Sequence, residues 1–256
     1  MHAKRRFGQN FLHDGNVIRR IVDAIAPQDS ERFIEVGGGH GALTQPLAAR
    51  VGRLDVIEID TQLAESLARS FAETRHVTIH EADALRFDYS QFHAGKAELR
   101  VAGNLPYNIS TPLLFHFMNF RTSIRDMHFM LQKEVVDRMV AAPGTRTYGR
   151  LTVMLSRWFD IEACFDIRPG SFRPQPRVMS TLARLSVRQT PRFEVADESR
   201  FAEVVAQLFS MRRKTLGRAL RNRLTAERLT TLGFDPAVRA ETLSPERLAQ
   251  LADACH

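Results

Sequence analysis

The residues best suited to chemistry are a glycine-rich loop and the acidic side chains that follow it. Glu35 leads into Gly37 and Gly39, and glycines at this spacing let the backbone turn sharply and approach a ligand. Glu58 follows about 20 residues later, where a carboxylate can hold ribose hydroxyls, and Asp83 can accept a hydrogen bond from an adenine amino group. Taken alone, Asp83 is more typical of a residue that caps a turn. The combination predicts a pocket for an adenosine-containing cofactor, with a nicotinamide-dependent oxidoreductase as an open alternative.

A second chemically suited group is the tetrapeptide Asn104-Leu-Pro-Tyr107. The Asn104 side-chain oxygen and the Leu105 carbonyl can accept the two hydrogens of a ring-conjugated amino group, which helps to localise its nitrogen lone pair. Pro106 biases Leu105 toward an extended conformation, and Tyr107 can stack on a base. An isolated Asn-x-Pro-Tyr would be only a turn, but this one and the preceding motifs follow successive predicted strands. The tetrapeptide resembles the Asn/Asp-Pro-Pro-Tyr signature of enzymes that methylate exocyclic amino groups of bases.

The elements that must bring these residues together are predicted by the pattern of apolar residues. Runs of β-favouring residues alternate with helical patterns over residues 17–160. Five strands are predicted, at residues 32–36, 54–59, 77–80, 99–102 and 127–131. Because such alternation is typical of βαβ units, we predict a doubly wound parallel sheet with the site at its carboxyl edge.

A smaller second domain is predicted toward the C-terminus. Residues 169–180 contain three prolines and are expected to be extended, and residues 181–187 alternate like one more strand. The pattern becomes helical from Phe201 onward. We therefore expect an α/β domain over residues 1–189 and a small α-helical domain over residues 190–256.

The charge balance favours a polyanionic partner. The chain has 36 Lys and Arg residues against 29 Asp and Glu residues, a formal net charge of +7. The positive charge is clustered in Lys4-Arg5-Arg6 and in residues 212–223. This clustering favours nucleic acid, although a charged run can also be a solvated face.

Cysteine, histidine and hydrophobic patterns exclude several classes of protein. The two cysteines are far apart and the histidines show no metal-ligand spacing, so we predict neither a disulfide framework nor a metal site. Residues 1–12 lack the apolar core of a signal peptide, and no run of 18 apolar residues occurs. We expect a cytoplasmic protein with no membrane partner.

Nearly the whole chain resembles the bacterial small-subunit ribosomal RNA adenine dimethyltransferases. The resemblance is carried by Phe7-Gly-Gln-Asn-Phe-Leu12, residues 35–44, Ile57-Glu-Ile-Asp60, Asp83, Asn104-Leu-Pro-Tyr107, Phe172-Arg-Pro-Gln-Pro-Arg-Val-Met-Ser180 and Phe209-Ser-Met-Arg-Arg-Lys-Thr215. It implies a Rossmann-like class I methyltransferase sheet and S-adenosylmethionine as the cofactor. Many relatives have proline at the position of Gly38, so the loop is expected to be more flexible here, with unchanged chemistry.

The resemblance also implies roles for individual residues. Those expected to contact the cofactor or frame its pocket are Asn10, Leu12, Gly37, Gly39, Glu58, Asp83 and Asn104. The expected catalytic residues are Asn104, Leu105, Tyr107 and Phe172, with Phe172 holding the target adenine against Tyr107. The expected RNA-binding residues are Arg212, Arg213, Lys214, Arg218 and Arg221. Without the resemblance, Phe172 would be interpreted as a core or turn aromatic.

Three functions remain open within the resemblance. Housekeeping members dimethylate two adjacent adenosines near the 3′ end of small-subunit RNA, whereas relatives that confer macrolide resistance methylate one large-subunit adenosine. Other relatives act in transcription or ribosome assembly without needing catalysis, which the intact tetrapeptide argues against. Asn104-Leu-Pro-Tyr107, Leu131-Gln-Lys-Glu134 and Tyr148-Gly-Arg-Leu151 favour the housekeeping group. The expected partner is small-subunit ribosomal RNA within a pre-30S particle, bound by a monomer.

Overall fold

The computed structural model describes residues 9–92 and 98–255. The predicted basic cluster Lys4-Arg5-Arg6 and the first two residues of the Phe7-Gly-Gln-Asn-Phe-Leu12 motif lie outside the described residues. Within the described ranges the strands are β1 (Phe11–Leu12), β2 (Arg32–Val36), β3 (Arg53–Glu58), β4 (Val77–Glu81), β5 (Leu99–Asn104), β6 (Ile124–Gln132), β7 (Phe159–Ile167), β8 (Phe172–Arg173) and β9 (Ser180–Val187). The helices are α1 (Gly15–Ile25), α2 (Thr44–Ala48), α3 (Thr61–Ser70), α4 (Ser110–Met118), α5 (Lys133–Met139), α6 (Arg150–Ser156), α7 (Glu198–Ser210), α8 (Leu216–Ala219), α9 (Ala226–Thr231) and α10 (Pro245–Asp253).

The main sheet has seven strands in the order β4-β3-β2-β5-β6-β9-β7. The first five of these strands pair in parallel, and β9 pairs antiparallel with β6. The five predicted βαβ strands and the predicted strand at residues 181–187 are all confirmed, the one at residues 32–36 with its predicted bounds and the others with ends that differ by one to three residues. The α/β class is therefore confirmed, but the sheet is mixed rather than parallel throughout. Strands β2 and β3 are buried along nearly their whole length, as parallel strands covered on both faces must be.

Three strands were not predicted. Strand β7 is the last in the sheet order, and its exposed positions include Asp160, Glu162 and Ala163. Charged residues are usual on an edge strand, where they discourage pairing with other chains, and they obscure the alternation that identifies a strand. Strands β1 and β8 have two residues each and form a separate antiparallel pair, too short to leave a sequence pattern.

Two helices near the site, α1 and α3, begin at side-chain caps. The Asp14 carboxylate accepts hydrogen bonds from the backbone N–H groups of Asn16 and Val17 at 3.0 and 3.3 Å, and so caps α1. The Asp60 carboxylate accepts one from the N–H of Gln62 at 3.0 Å, and so caps α3 directly after β3. These caps set the residues at which the chain turns from strand or loop into helix.

The chain divides into two compact units whose boundaries differ from those predicted at residues 189 and 190. The first unit comprises Met1–Val136 and Asp160–Val187, and the second comprises Asp137–Phe159 and Arg188–His256. The second unit thus includes residues 137–159, which fall within the predicted α/β domain. The reason is packing, because Tyr148 and Val153 belong to the same hydrophobic core as Phe201 and Val204. Helical periodicity identifies a buried face without showing which core that face joins.

The described residues contain neither a metal-binding cluster nor a membrane-spanning helix. Among residues 9–92 and 98–255, no group of three or more His, Cys, Asp or Glu side chains is placed to hold a metal ion. None of the helices in that part of the chain combines the length and apolarity that a membrane crossing requires.

Candidate active site

A cleft with about 680 Å³ of empty space opens at the carboxyl ends of β2, β3, β4 and β5. Parallel strands bring their carboxyl ends to one edge of a sheet, so residues distant in sequence meet there. The predicted site residues that line this cleft are Asn10, Gly37, Gly39, Glu58, Asp83, Asn104, Leu105 and Tyr107. A second cavity of about 320 Å³ shares Gly37, Gly39 and Asn104 with the cleft and is also lined by Leu12 and Glu35.

The glycine loop after β2 has the backbone conformation that its sequence predicts. Gly37, Gly39 and Gly41 have φ values of 75°, 55° and 85°, which residues with a side chain rarely adopt. Gly38 is glycine for a different reason, because a Cβ atom there would lie 2.5 Å from Val56 Cγ1. The loop therefore approaches β3 so closely that a side chain at position 38 would require Val56 to move.

Glu58 and Asp83 are held at the cleft by backbone contacts. The two carboxylate oxygens of Glu58 accept hydrogen bonds from the N–H groups of Gly39 and Asp60, both at 2.9 Å. Burial raises the pKa of Glu58 above its ordinary value. Asp83 accepts a hydrogen bond from the N–H of Leu85 at 2.9 Å, so it caps a turn and lines the cleft at the same time.

Glu35 is a further candidate, without a predicted role of its own. Its side chain is 2% exposed, and its Oε2 atom has no hydrogen-bond partner among the described residues. Burial raises the pKa of Glu35 to about 8; the nearby Thr44 hydroxyl lowers it by less, and the neighbouring carboxylate of Glu58 adds to the rise. A buried acceptor without a donor is costly, so this oxygen is suited to a cationic or donor group of a ligand in the second cavity. The sequence signal is a carboxylate between the apolar residues Ile34 and Val36 of β2.

The orientation of the Asn104 side chain follows from its partner. Its Nδ2 atom donates to the backbone carbonyl of Asn10 at 2.7 Å. A carbonyl can only accept, so the amide nitrogen must face Asn10 and the amide oxygen must point the other way. Asn104 Oδ1 has no donor among the described residues and remains able to accept a hydrogen bond from a ligand.

Phe172 is placed differently from the prediction. It is 1% exposed and belongs to a hydrophobic core with Leu12, Met130 and Leu182, and it is absent from the residues that line the cleft. The pairing of β1 with β8 explains this position, since Leu12 lies opposite Phe172 and both side chains point into the core. The structure thus brings Tyr107 to the cleft but not Phe172, so contact between Phe172 and a bound base stays a prediction.

Comparison with known proteins identifies the family of this chain. The family model described as "Ribosomal RNA adenine dimethylase" matches residues 1–256. The chain belongs to the ribosomal RNA adenine dimethylase family. Two relatives named "Ribosomal RNA small subunit methyltransferase A" support this. The protein from Aromatoleum aromaticum is 50% identical over 94% of this chain and 90% of its own length, and the protein from Thiobacillus denitrificans is 49% identical over 95% and 94%.

Solved structures show that the fold is shared as well. A dimethyladenosine transferase from Plasmodium falciparum has a TM-score of 0.79 at 21% identity, covering 94% of this chain and 95% of that one. The 23S rRNA methyltransferase ErmE has a TM-score of 0.72 at 26% identity, covering 96% and 99%. These likenesses confirm the Rossmann-like methyltransferase fold. As a member of the adenine dimethylase family, the chain is a methyltransferase that acts on ribosomal RNA and uses S-adenosylmethionine.

The residues of the cleft fit that cofactor. S-adenosylmethionine has an adenosine at one end and an amino acid at the other. The Glu58 carboxylate suits the ribose hydroxyls, and Ile59, an apolar side chain that is 44% exposed in the cleft wall, suits the face of the adenine. The unpartnered oxygen of Glu35 suits the ammonium group of the amino-acid end.

The predicted RNA-binding residues of the second unit separate into two groups. Arg212 forms an ion pair with Glu241 and donates to the Thr145 carbonyl at 3.2 Å, so it holds parts of this unit together. The other four are Arg213, Lys214, Arg218 and Arg221. They are exposed, and none of them forms an ion pair with another described residue. Three of these four line a cavity with about 890 Å³ of empty space, which has no acidic residue in its lining.

Proposed function

We propose that this family member dimethylates the exocyclic amines of two adjacent adenosines near the 3′ end of small-subunit ribosomal RNA. We further propose that its substrate is a pre-30S particle and that it acts as a monomer. The observation that carries the reaction is the orientation of Asn104, whose amide oxygen is left to accept from an amino group because its nitrogen is occupied by Asn10. Two relatives near 50% identity that are named as small-subunit methyltransferases support the choice of subunit.

The proposed chemistry uses positioning rather than an acid or a covalent nucleophile. When bound, S-adenosylmethionine supplies the methyl group from its sulfonium. Asn104 Oδ1 and the Leu105 carbonyl accept hydrogens from the adenine amine, which makes the nitrogen lone pair available for attack on the methyl carbon. The N–C bond would form as the S–C bond breaks, the sulfur would leave as a neutral thioether, and the extra proton on the methylated amine would pass to water. Tyr107 lines the cleft beside them and stacks on the adenine once that base has left its RNA stack.

A methyl-transfer assay on two substrates tests the proposal. We expect the chain to transfer labelled methyl groups to small subunits that lack the modification, with dimethyladenosine in the digested RNA. An Asn104→Ala variant that still binds S-adenosylmethionine provides the matched control and should be inactive. Labelling of large-subunit RNA with none in small subunits would instead indicate a function like that named for ErmE.

We also propose that Arg213, Lys214, Arg218 and Arg221 contact RNA phosphates, while Arg212 is structural. The support is their exposure without acidic partners, in contrast to the Arg212–Glu241 pair. Phosphate contacts release counterions, so replacing Arg218 and Arg221 by Gln should reduce the salt dependence of particle binding by about one to two in log–log slope. Arg212→Gln is the control and should mainly lower stability. An unchanged slope in the Arg218/Arg221 variant contradicts the proposal.

A further inference from the structure

A hydrogen bond joins Tyr107 and Ser180 across 73 residues of sequence. Their hydroxyl oxygens lie 2.9 Å apart. Tyr107 is the last residue of the Asn-Leu-Pro-Tyr tetrapeptide and lines the cleft, whereas Ser180 closes the proline-containing segment that begins at Phe172. The bond therefore connects two separate segments that both mark the family resemblance, and it lies wholly within the first unit.

Ser180 is anchored firmly enough to position another side chain. It is the first residue of β9, pairs with the last residue of β6, and is 1% exposed. The residues on both sides of it are held as well. The Met179 carbonyl accepts from the N–H of Lys133 at 2.9 Å, and the Thr181 hydroxyl donates to Asp166 at 2.7 Å. The Ser180 hydroxyl thus occupies a defined place at the sheet edge.

Tyr107 has much less support of its own. It lies in the loop between β5 and α4, where its backbone carbonyl accepts a hydrogen bond from the Ser110 hydroxyl at 3.1 Å. That contact holds the backbone, whereas the orientation of the ring depends on two side-chain torsions. Burial raises the pKa of the Tyr107 hydroxyl, so this group stays neutral, and Ser180 provides its hydrogen-bond partner. The bond is thus the contact that fixes the far end of the ring.

We propose that Ser180 is a positioning residue for methyl transfer, which holds the Tyr107 ring in the orientation that stacks on the target adenine. The proposal rests on the stacking role of Tyr107 in the proposed function. Ser180 acts through the Tyr107 hydroxyl, so its removal lowers the rate of the chemical step without weakening the cofactor site. It also gives a physical reason for a serine at the end of the segment that begins at Phe172.

A double-mutant cycle tests this role. The variants are Ser180→Ala, Tyr107→Phe and the double variant, each measured in single-turnover methyl transfer with saturating S-adenosylmethionine and small subunits that lack the modification. Tyr107→Phe keeps the stacking ring and loses only the hydroxyl. Since one neutral hydrogen bond contributes about 1 kcal/mol, each single variant should be slower by about fivefold to tenfold. The double variant should be no slower than the slower single variant, because both changes break the same bond.

A second set of measurements separates positioning from a general loss of structure. The dissociation constant for S-adenosylmethionine, measured by calorimetry, should stay within about twofold of the wild-type value, as should the KM for the particle. Ser186→Ala is the matched control, since Ser186 is a serine at the opposite end of β9 and lies outside the cleft lining. It should leave the rate unchanged.

Several results would overturn the proposal. A Tyr107→Phe variant with the wild-type rate would show that the hydroxyl has no role, and this test does not depend on whether Ser180→Ala folds. A double variant slower by the product of the two single effects would show that the residues act independently. Loss of cofactor binding in Ser180→Ala in proportion to its rate would indicate a structural role. An inactive wild-type chain would instead refute the proposed function, so the two failures are distinguishable.

Discussion

At the amino ends of β5 and β6 the buried charges are paired, whereas at the carboxyl ends of β2 and β3 they are not. Arg100 is buried between two carboxylates, with its Nε 2.8 Å from Asp126 and its Nη1 2.9 Å from Glu31. Glu35 and Glu58 are buried to a similar degree, yet neither forms an ion pair within the described residues. At one end of the sheet the buried charged side chains therefore pair with one another. At the other end the buried carboxylates stay available to a ligand.

The ionisation of the carboxylates reflects this difference. Burial opposes the charge of Glu31, but hydrogen bonds from Arg125, from the Gln28 N–H and from Arg100 outweigh it and lower the pKa of Glu31. At the other end, burial raises the pKa of Glu35 to about 8. The charged groups around Arg100 at the amino end thus stabilise the fold. At the carboxyl end the buried Glu35 destabilises the fold and is kept as a binding group.

The largest expected effect comes from removing the unpaired carboxylate with Glu35→Gln. The folded protein keeps Glu35 protonated up to about pH 8, while the unfolded chain ionises near the ordinary value of 4.5. Unfolding therefore releases a proton between these values, and the free energy of unfolding falls as the pH rises. The difference corresponds to about 5 kcal/mol at pH 8 as an order of magnitude. Urea unfolding from pH 5 to 9 should show that the variant lacks most of this decline, whereas parallel curves would contradict the assignment.

At the amino end, Arg100→Met should have the opposite effect on stability. It leaves the buried Asp126 and the partly exposed Glu31 without the cation between them, with only the more exposed Arg125 still paired to both. Breaking a buried pair costs about 3–5 kcal/mol. The control is Arg50→Met, since Arg50 forms an exposed pair with Asp23 that is worth about 0–1 kcal/mol. Thermal or urea unfolding at pH 7 measures both. Equal losses in the two variants would remove the contrast between the ends of the sheet.

Adding a carboxylate to the carboxyl end by Asn104→Asp should abolish most activity. The new side chain cannot donate to the Asn10 carbonyl, which lies 2.7 Å from the present amide nitrogen, so two acceptor oxygens would face each other. We expect methyl transfer to slow by about 100-fold to 1000-fold. Asn104→Ala removes the donor and the acceptor together and so lacks the repulsion, and S-adenosylmethionine should therefore bind more weakly to the Asp variant than to the Ala variant. Full activity of Asn104→Asp would refute the deduced orientation.

The smallest expected effect is that of Glu31→Gln. Because the pKa of Glu31 is lowered in the folded protein, its contribution to stability is complete above its ordinary pKa of 4.5 and is lost as the pH falls through the folded value. The variant should therefore be less stable than the wild type at pH 7 and should approach it in acid. Unfolding curves at pH 3 to 7 test this trend, which runs opposite to that of Glu35. A gap between the two proteins that widens in acid would contradict it.

The sequence by itself determined the features that depend on neighbouring residues. The positive φ values of Gly37, Gly39 and Gly41 follow from their residue type, and the six predicted strands follow from apolar runs bounded by turns. Parallel pairing then brings Glu58, Asp83 and Asn104 to one edge, so most of the cleft was predictable.

Only the tertiary structure decided the contacts between distant segments. It shows Asn104 oriented by Asn10 across 94 residues, Tyr107 joined to Ser180, and Phe172 placed in the core instead of the cleft. It also assigns residues 137–159 to the second unit. Each of these contacts depends on which segments meet after the chain has folded. A local sequence pattern indicates that a side chain is buried or polar, but it does not identify the residue that the side chain contacts. For the same reason the sequence could not distinguish the paired carboxylate of Glu31 from the unpaired one of Glu35.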